Sequence, residues 1–130
     1  NKIDLVFFAF KHSYFQRSLV NAHTKLITKH NVVKDIKVKN SENNHYYGHA
    51  GYFWIKSKKV FNFLEIYKKS REYKKLSREI LIDDYFKFLV KKKLVSNTYC
   101  LLNDYIHVGS TNEYKEYIYW ENYFHEKKIN

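Results

Sequence analysis

The run IDLVFFAF, residues 3–10, constrains this chain more than any other feature. A strand with one wet face alternates apolar and polar residues, and this run does not. It therefore predicts a strand covered on both faces, at the centre of a sheet with a layer above and below. The strand-like segments that follow are too few to flank it on both sides. A partner sheet is expected from an upstream region outside the chain.

A length of 130 residues fits one domain, or half of a larger one. It is enough to bury a core without disulfides or metals. The chain is 45% hydrophobic and 19% aromatic, which excludes a disordered composition despite the lysines. Methionine is absent and Asn1-Lys2 leads straight into the first strand, which reads as an excised segment. No signal-peptide pattern precedes it, and no apolar run reaches the length of a membrane span. Cys100 is the sole cysteine, so no intrachain disulfide or cysteine metal cluster can form. It is expected as a buried, inert thiol, most compatible with the cytoplasm. A net charge of +11 leaves three classes of partner: nucleic acid, an anionic membrane surface or a phosphate-bearing small molecule. Arginine occurs only at 17, 71 and 78, and its scarcity weighs against nucleic acid.

Residues 24–39 read as a hairpin, with TKLIT and VVKDIKVK as arms around KHN. In the second arm Ile36 and Val38 share one face. A polar loop, 41–49, leads to a strand at 50–56. Ser57 caps a helix with Val60, Phe61, Phe63, Leu64 and Tyr67 on its apolar stripe. After the charged connector SREYKKLS, a second helix is expected over 78–93. Its apolar set is Ile80, Leu81, Tyr85, Phe86, Phe88, Leu89 and Leu94. Asp83 and Asp84 on that helix point about 100° apart, so one is expected in solvent and the other in a cap or ion pair. NTYCLL and YIHV are strand-like. The second stops at Gly109, and a helix begins at Ser110, with Glu113 at capping-box spacing. Such a turn aims backbone N–H groups at whatever lies beside it. The seven histidines show no metal-ligand spacing, and there is no phosphate-binding glycine loop.

Five segments in order, DLVFFAF, VVKDIKVK, GHAGYFWIKSKKVFNFLE, REILIDDYFKFLVKKKLV and HVGSTNEYKEYIYWENYF, carry a resemblance. Together they resemble the C-terminal half of the nucleotidyltransferases that make activated sugars and phospho-alcohols. Gly109-Ser110-Thr111 stands for that family's Gly-Thr-Pro-like turn, with Trp120, Tyr123 and Phe124 in its terminal aromatic helix. His49 stands where asparagine is usual, and Val38 where glutamate is usual. The resemblance implies an α/β fold, a Rossmann-like mixed sheet of the nucleotide-diphospho-sugar-transferase type flanked by helices. It makes residues 1–130 a single unit, the acceptor-binding half of a larger domain. It places the acceptor phosphate at Lys39, at the turn of His49, Ala50 and Gly51, and beside Gly109. The second metal position, for Mg²⁺, falls on His107, with Asp104 as the nearby carboxylate. The implied substrates are a nucleoside triphosphate and a phosphorylated acceptor, in the cytoplasm, for capsule or other surface polysaccharide. The N-terminal half of the same protein would be the partner, with no membrane and no nucleic acid. Two readings from other classes stand beside it. One is a basic, aromatic-rich binder of single-stranded nucleic acid. The other is an interaction module presenting Tyr114, Tyr117, Tyr119 and Trp120.

Overall fold

The computed structural model of the chain describes residues 2–11, 24–38, 46–103, 105 and 111–127. Five strands form one sheet: β1 (Leu5–Phe10), β2 (Lys25–Lys29), β3 (Val32–Lys37), β4 (Tyr47–Ile55) and β5 (Asn97–Leu101), in the order β3-β2-β4-β1-β5. Between β4 and β5 lie a 3₁₀ helix (Lys58–Phe63), α1 (Leu64–Lys69), α2 (Arg71–Lys74) and α3 (Ile82–Lys91). A last helix, α4, spans Thr111–Lys127.

The apolar run takes an inner position, but its flanking strands come from within the chain. β1 pairs antiparallel with β4, from Leu5↔Ile55 to Phe10↔Gly48, and parallel with β5, from Leu5↔Asn97 to Ala9↔Leu101. The expected upstream partner for this strand is therefore corrected. The helical crossover returns β5 to the free side of β1, which a count of segments does not reveal. Asp4 fastens this return: its carboxylate accepts the Ser96 N–H at 2.9 Å and the Ser96 hydroxyl at 3.0 Å. The amide hydrogen bond holds the Asp4 carboxyl below its ordinary value against the opposing effect of burial.

Burial on both faces is also only half realised. Leu5, Phe7 and Ala9 are fully buried. Phe86 of α3 meets Phe7 and Phe53 edge-on, at 5.6 and 4.7 Å between ring centres. Val6 and Phe8, on the opposite face, are only half-buried. The hairpin forms as read. His30 and Asn31 at its tip have φ of 50° and 60°, the left-handed geometry that a two-residue hairpin turn needs. Leu26, Val33 and Ile36 turn into the same core as Phe7.

The helices depart from the pattern in detail. Ser57 caps the first as expected, accepting the Lys59 N–H at 3.2 Å, but that helix opens as 3₁₀. Its tighter winding spreads the apolar stripe, so Val60 and Tyr67 are buried while Phe61 and Leu64 stay exposed. Tyr67 packs on Tyr85 and Phe88. Burial, reinforced by the Asp84 carboxylate, pushes its hydroxyl up to about 12. α3 begins at Ile82, not near Arg78, because Asp84 stops the chain there. Asp84 Oδ2 accepts the Leu81 N–H at 3.0 Å, and its two oxygens take the Arg78 guanidinium at 2.7 and 2.9 Å. Ile80, before the helix, is exposed, and Val90 joins the core instead. Cys100 is exposed, contrary to expectation: on β5 it alternates with Tyr99 and Leu101, which take the inner face. The strand reading of YIHV beyond Tyr105 and the Ser110–Glu113 capping box lie outside the described residues and side chains.

Gly48 sits opposite Phe10, whose ring is almost fully buried and stacks on Tyr105 at 4.1 Å. A Cβ on Gly48 would lie 2.3 Å from that ring. Gly48→Ala should cost about 1–3 kcal/mol by overpacking. In urea denaturation, Gly48→Ala combined with Phe10→Leu should cost less than the sum of the two single changes. Strict additivity would contradict the contact.

Candidate functional site

β4 does not run smoothly along β1. Phe7 pairs with Phe53, but two residues later Ala9 pairs with His49, so β4 carries extra residues across this stretch. The bulge contains Ala50, Gly51 and Tyr52. Gly51 has φ +79°, a conformation that side-chain-bearing residues adopt only with strain. Nothing lies within 4 Å of where its Cβ would stand, so glycine is here for backbone conformation, and the space above it is open. Ala50 beside it is buried.

His49 pins this bulge. Its side chain is 2% exposed. Nε2 lies 3.1 Å from the Tyr52 carbonyl across the bulge, and Nδ1 lies 3.1 Å from Asp83 Oδ1. Both of these groups are acceptors, so whichever ring nitrogen carries a hydrogen has a partner. Phe7 closes over the ring edge-on at 5.7 Å. Thr24, just before β2, completes the connection. Its hydroxyl donates to Asp83 Oδ2 at 2.7 Å, and its carbonyl accepts the His49 N–H at 2.7 Å. Thr24, His49 and Asp83 thus tie the edge of β2, the bulge of β4 and the first turn of α3 into one buried polar cluster. Among the described residues no donor other than the His49 ring lies against Asp83 Oδ1. Burial raises the Asp83 carboxyl, but the His49 contact, the Thr24 hydrogen bond and the charges of His49 and Arg78 outweigh it. The carboxyl is held below its ordinary value.

Of the site residues expected from sequence, His49, Ala50 and Gly51 are brought together. The His49 side chain faces inward, so it shapes the turn while Gly51 presents backbone to solvent. Lys39, Asp104, His107 and Gly109 lie outside the described residues. Among the described residues no three His, Cys, Asp or Glu side chains gather as a metal site, and no ligand set for Mg²⁺ emerges from them. Sequence reasoning missed Thr24, which carries no local signal. It noted Asp83 but expected one of the acidic pair in solvent; neither is. The available clue was a histidine within an apolar strand, which needs an acceptor once buried.

No protein-family model matches the chain, and no curated protein sequence does. Among solved structures, it is similar to the crystal structure of a nucleoside-diphosphate-sugar pyrophosphorylase from Vibrio cholerae RC9. The TM-score is 0.64 at 17% identity, over 88% of this chain and 46% of that one. The chain thus spans about half the length of that protein. At this identity the likeness is one of fold: a mixed α/β sheet flanked by helices, as the sequence resemblance implied.

Because folding lowers the Asp83 carboxyl, its contribution is complete above the unfolded value of about 3.9. It is lost as pH falls through the lower folded value. Asp83→Asn should therefore cost about 1–3 kcal/mol at neutral pH. The gap to the unaltered protein should close below about pH 4. Denaturation midpoints of both proteins across pH 2.5–7 check this (roughly the carboxylate range). A gap that is constant with pH would show that the ionised carboxylate does not matter.

Proposed function

We propose that the chain is the acceptor-binding half of a nucleotidyltransferase that makes an activated sugar or phospho-alcohol, for surface polysaccharide. The observation that carries the reading is the Gly51 bulge, an open stretch of strand backbone on a pyrophosphorylase-like fold. In the reaction, a phosphate oxygen of the acceptor forms a bond to the α-phosphorus of a nucleoside triphosphate. The bond from that phosphorus to the bridging oxygen breaks, and pyrophosphate leaves. Such a transfer rests on positioning, and holding the acceptor is the part assigned to this chain. Gly51 lets the acceptor approach the backbone. The Thr24–His49–Asp83 tie keeps that backbone from shifting. Lys39, beyond the end of β3, supplies a point charge for the phosphate. The resemblance assigns Gly109 to the same ligand.

The nucleotide loop belongs, in this reading, to an N-terminal half of the same protein, working in the cytoplasm where the triphosphate is found. Mg²⁺ belongs to the complete enzyme, where it would neutralise pyrophosphate charge. Asp104 and His107 remain the positions that the resemblance offers for it. A second reading, an interaction module, draws on a different observation: α4 leaves Tyr114, Tyr119, Trp120 and Phe124 exposed. No helix among the described residues is long and apolar enough to cross a membrane.

The 130-residue chain alone should release no pyrophosphate above background with any nucleoside triphosphate. In the longest polypeptide that its gene encodes, Lys39→Ala and Gly51→Ala should each raise the acceptor KM about 10-fold, or ~1.4 kcal/mol. The triphosphate KM should be unchanged, and Lys58→Ala should change neither. Equal effects of Lys39→Ala and Lys58→Ala would reduce the lysines to bulk charge and refute the assignment.

A further inference from the structure

β4 carries an exposed aromatic row. Tyr52 and Trp54 alternate with Phe53 and Ile55, which pack against the core, so the two rings stand on the opposite face of the strand. Tyr52 is 70% and Trp54 58% exposed. A strand face that meets only water gains nothing from two large rings side by side, and an exposed patch of this kind marks a binding surface. The next strand continues it. Val6 of β1 pairs with Trp54, and Phe8 shares its face; both are half-buried. Beyond them β5 adds Thr98 and Cys100. None of these positions carries a carboxylate. A cation does reach the patch: Lys56, two residues past Trp54, holds its Nζ 5.2 Å from the centre of the indole ring.

We propose that Tyr52, Trp54 and Phe8 form a stacking platform for single-stranded nucleic acid, with Lys56 as its phosphate contact. Geometry and charge both favour this ligand. Tyr52 and Trp54 are two residues apart on an extended strand, about 6.8 Å, a step that successive bases of an extended single strand can span. Sheet platforms that bind single strands place their aromatic rings on adjacent strands within a basic surround. β4 and β1 are adjacent inner strands, and the net charge of +11 attracts a polyanion. The scarcity of arginine bears on a different mode of binding. Arginine reads base edges and grips phosphate bidentately, whereas stacking beside a lysine needs neither. Binding without base-sequence preference follows. Lys56 rests on the indole; an incoming base takes that place, and the ammonium turns to the adjoining phosphate. The inference is independent of the proposed nucleotidyl transfer, which uses none of these side chains.

The test uses the 130-residue chain carrying Trp120→Phe, which leaves Trp54 as the sole tryptophan. At about 50 mM salt, an oligothymidylate of about 12 nucleotides should quench the indole fluorescence saturably, and should bind at least about 10-fold more tightly than a duplex of the same length. Tyr52→Leu and Trp54→Leu, followed by anisotropy of a labelled oligothymidylate, should each weaken binding about 10-fold. Both side chains are exposed, so the denaturation midpoints should stay unchanged. Lys56→Ala should lower the salt slope by about 0.7, the worth of one phosphate on a single strand. Equal affinity of the unaltered chain and both leucine variants would reduce the attraction to bulk charge and overturn the platform. Quenching of Trp54 by vesicles of anionic phospholipid, with none by the oligonucleotide, would overturn it in favour of a membrane surface.

Discussion

The pairing of β1 on both its edges is the constraint on which the rest of the molecule depends. An apolar strand with β4 on one side and β5 on the other cannot slip by one residue. A slip would turn Leu5, Phe7 and Ala9 away from α3 and expose all three. Fixed in this register, β1 decides where β4 must bulge. It also decides where the crossover helices must land. Phe86 locks that landing by meeting Phe7 and Phe53 at once.

The polar cluster exists because of that bulge. Extra residues on β4 lift Gly51 out of the ladder and bring the Tyr52 carbonyl back over the His49 ring. The other nitrogen of the buried imidazole then needs a polar partner, and the first turn of α3 provides Asp83. The helix N-terminus favours a carboxylate at that point. Thr24 takes the remaining carboxylate oxygen and carries the tie to β2. The arrangement stiffens a bulge where strand backbone is open to solvent, and that links the packing to the proposed chemistry.

Local patterns were legible in the sequence where one segment decides its own structure. The hairpin followed from KHN between two apolar arms, and the cap at Ser57 from its position before an apolar stripe. The α/β class followed from the order of the segments. Partners distant in sequence were not legible. That β5 returns beside β1 depends on the crossover, and the fate of Cys100 follows from that return. The start of α3 depends on Arg78 and Asp84 meeting across the turn. The tie of Thr24 to Asp83 spans 59 residues and leaves no local trace in the spacing of either one. At the candidate site, Ala50 and Gly51 were found through resemblance, and the reason for glycine was found only in its φ of +79°.

The central claim is that the Gly51 bulge receives a phosphorylated acceptor. Backbone amide NMR of the ¹⁵N-labelled protein, titrated with a hexose 1-phosphate and with inorganic phosphate as control, addresses it most directly. The account predicts saturable shifts centred on Ala50 and Gly51, larger for the sugar phosphate than for phosphate alone, with the amides of α1 unmoved. Shifts scattered over the lysine-rich surface and equal for the two ligands would contradict it.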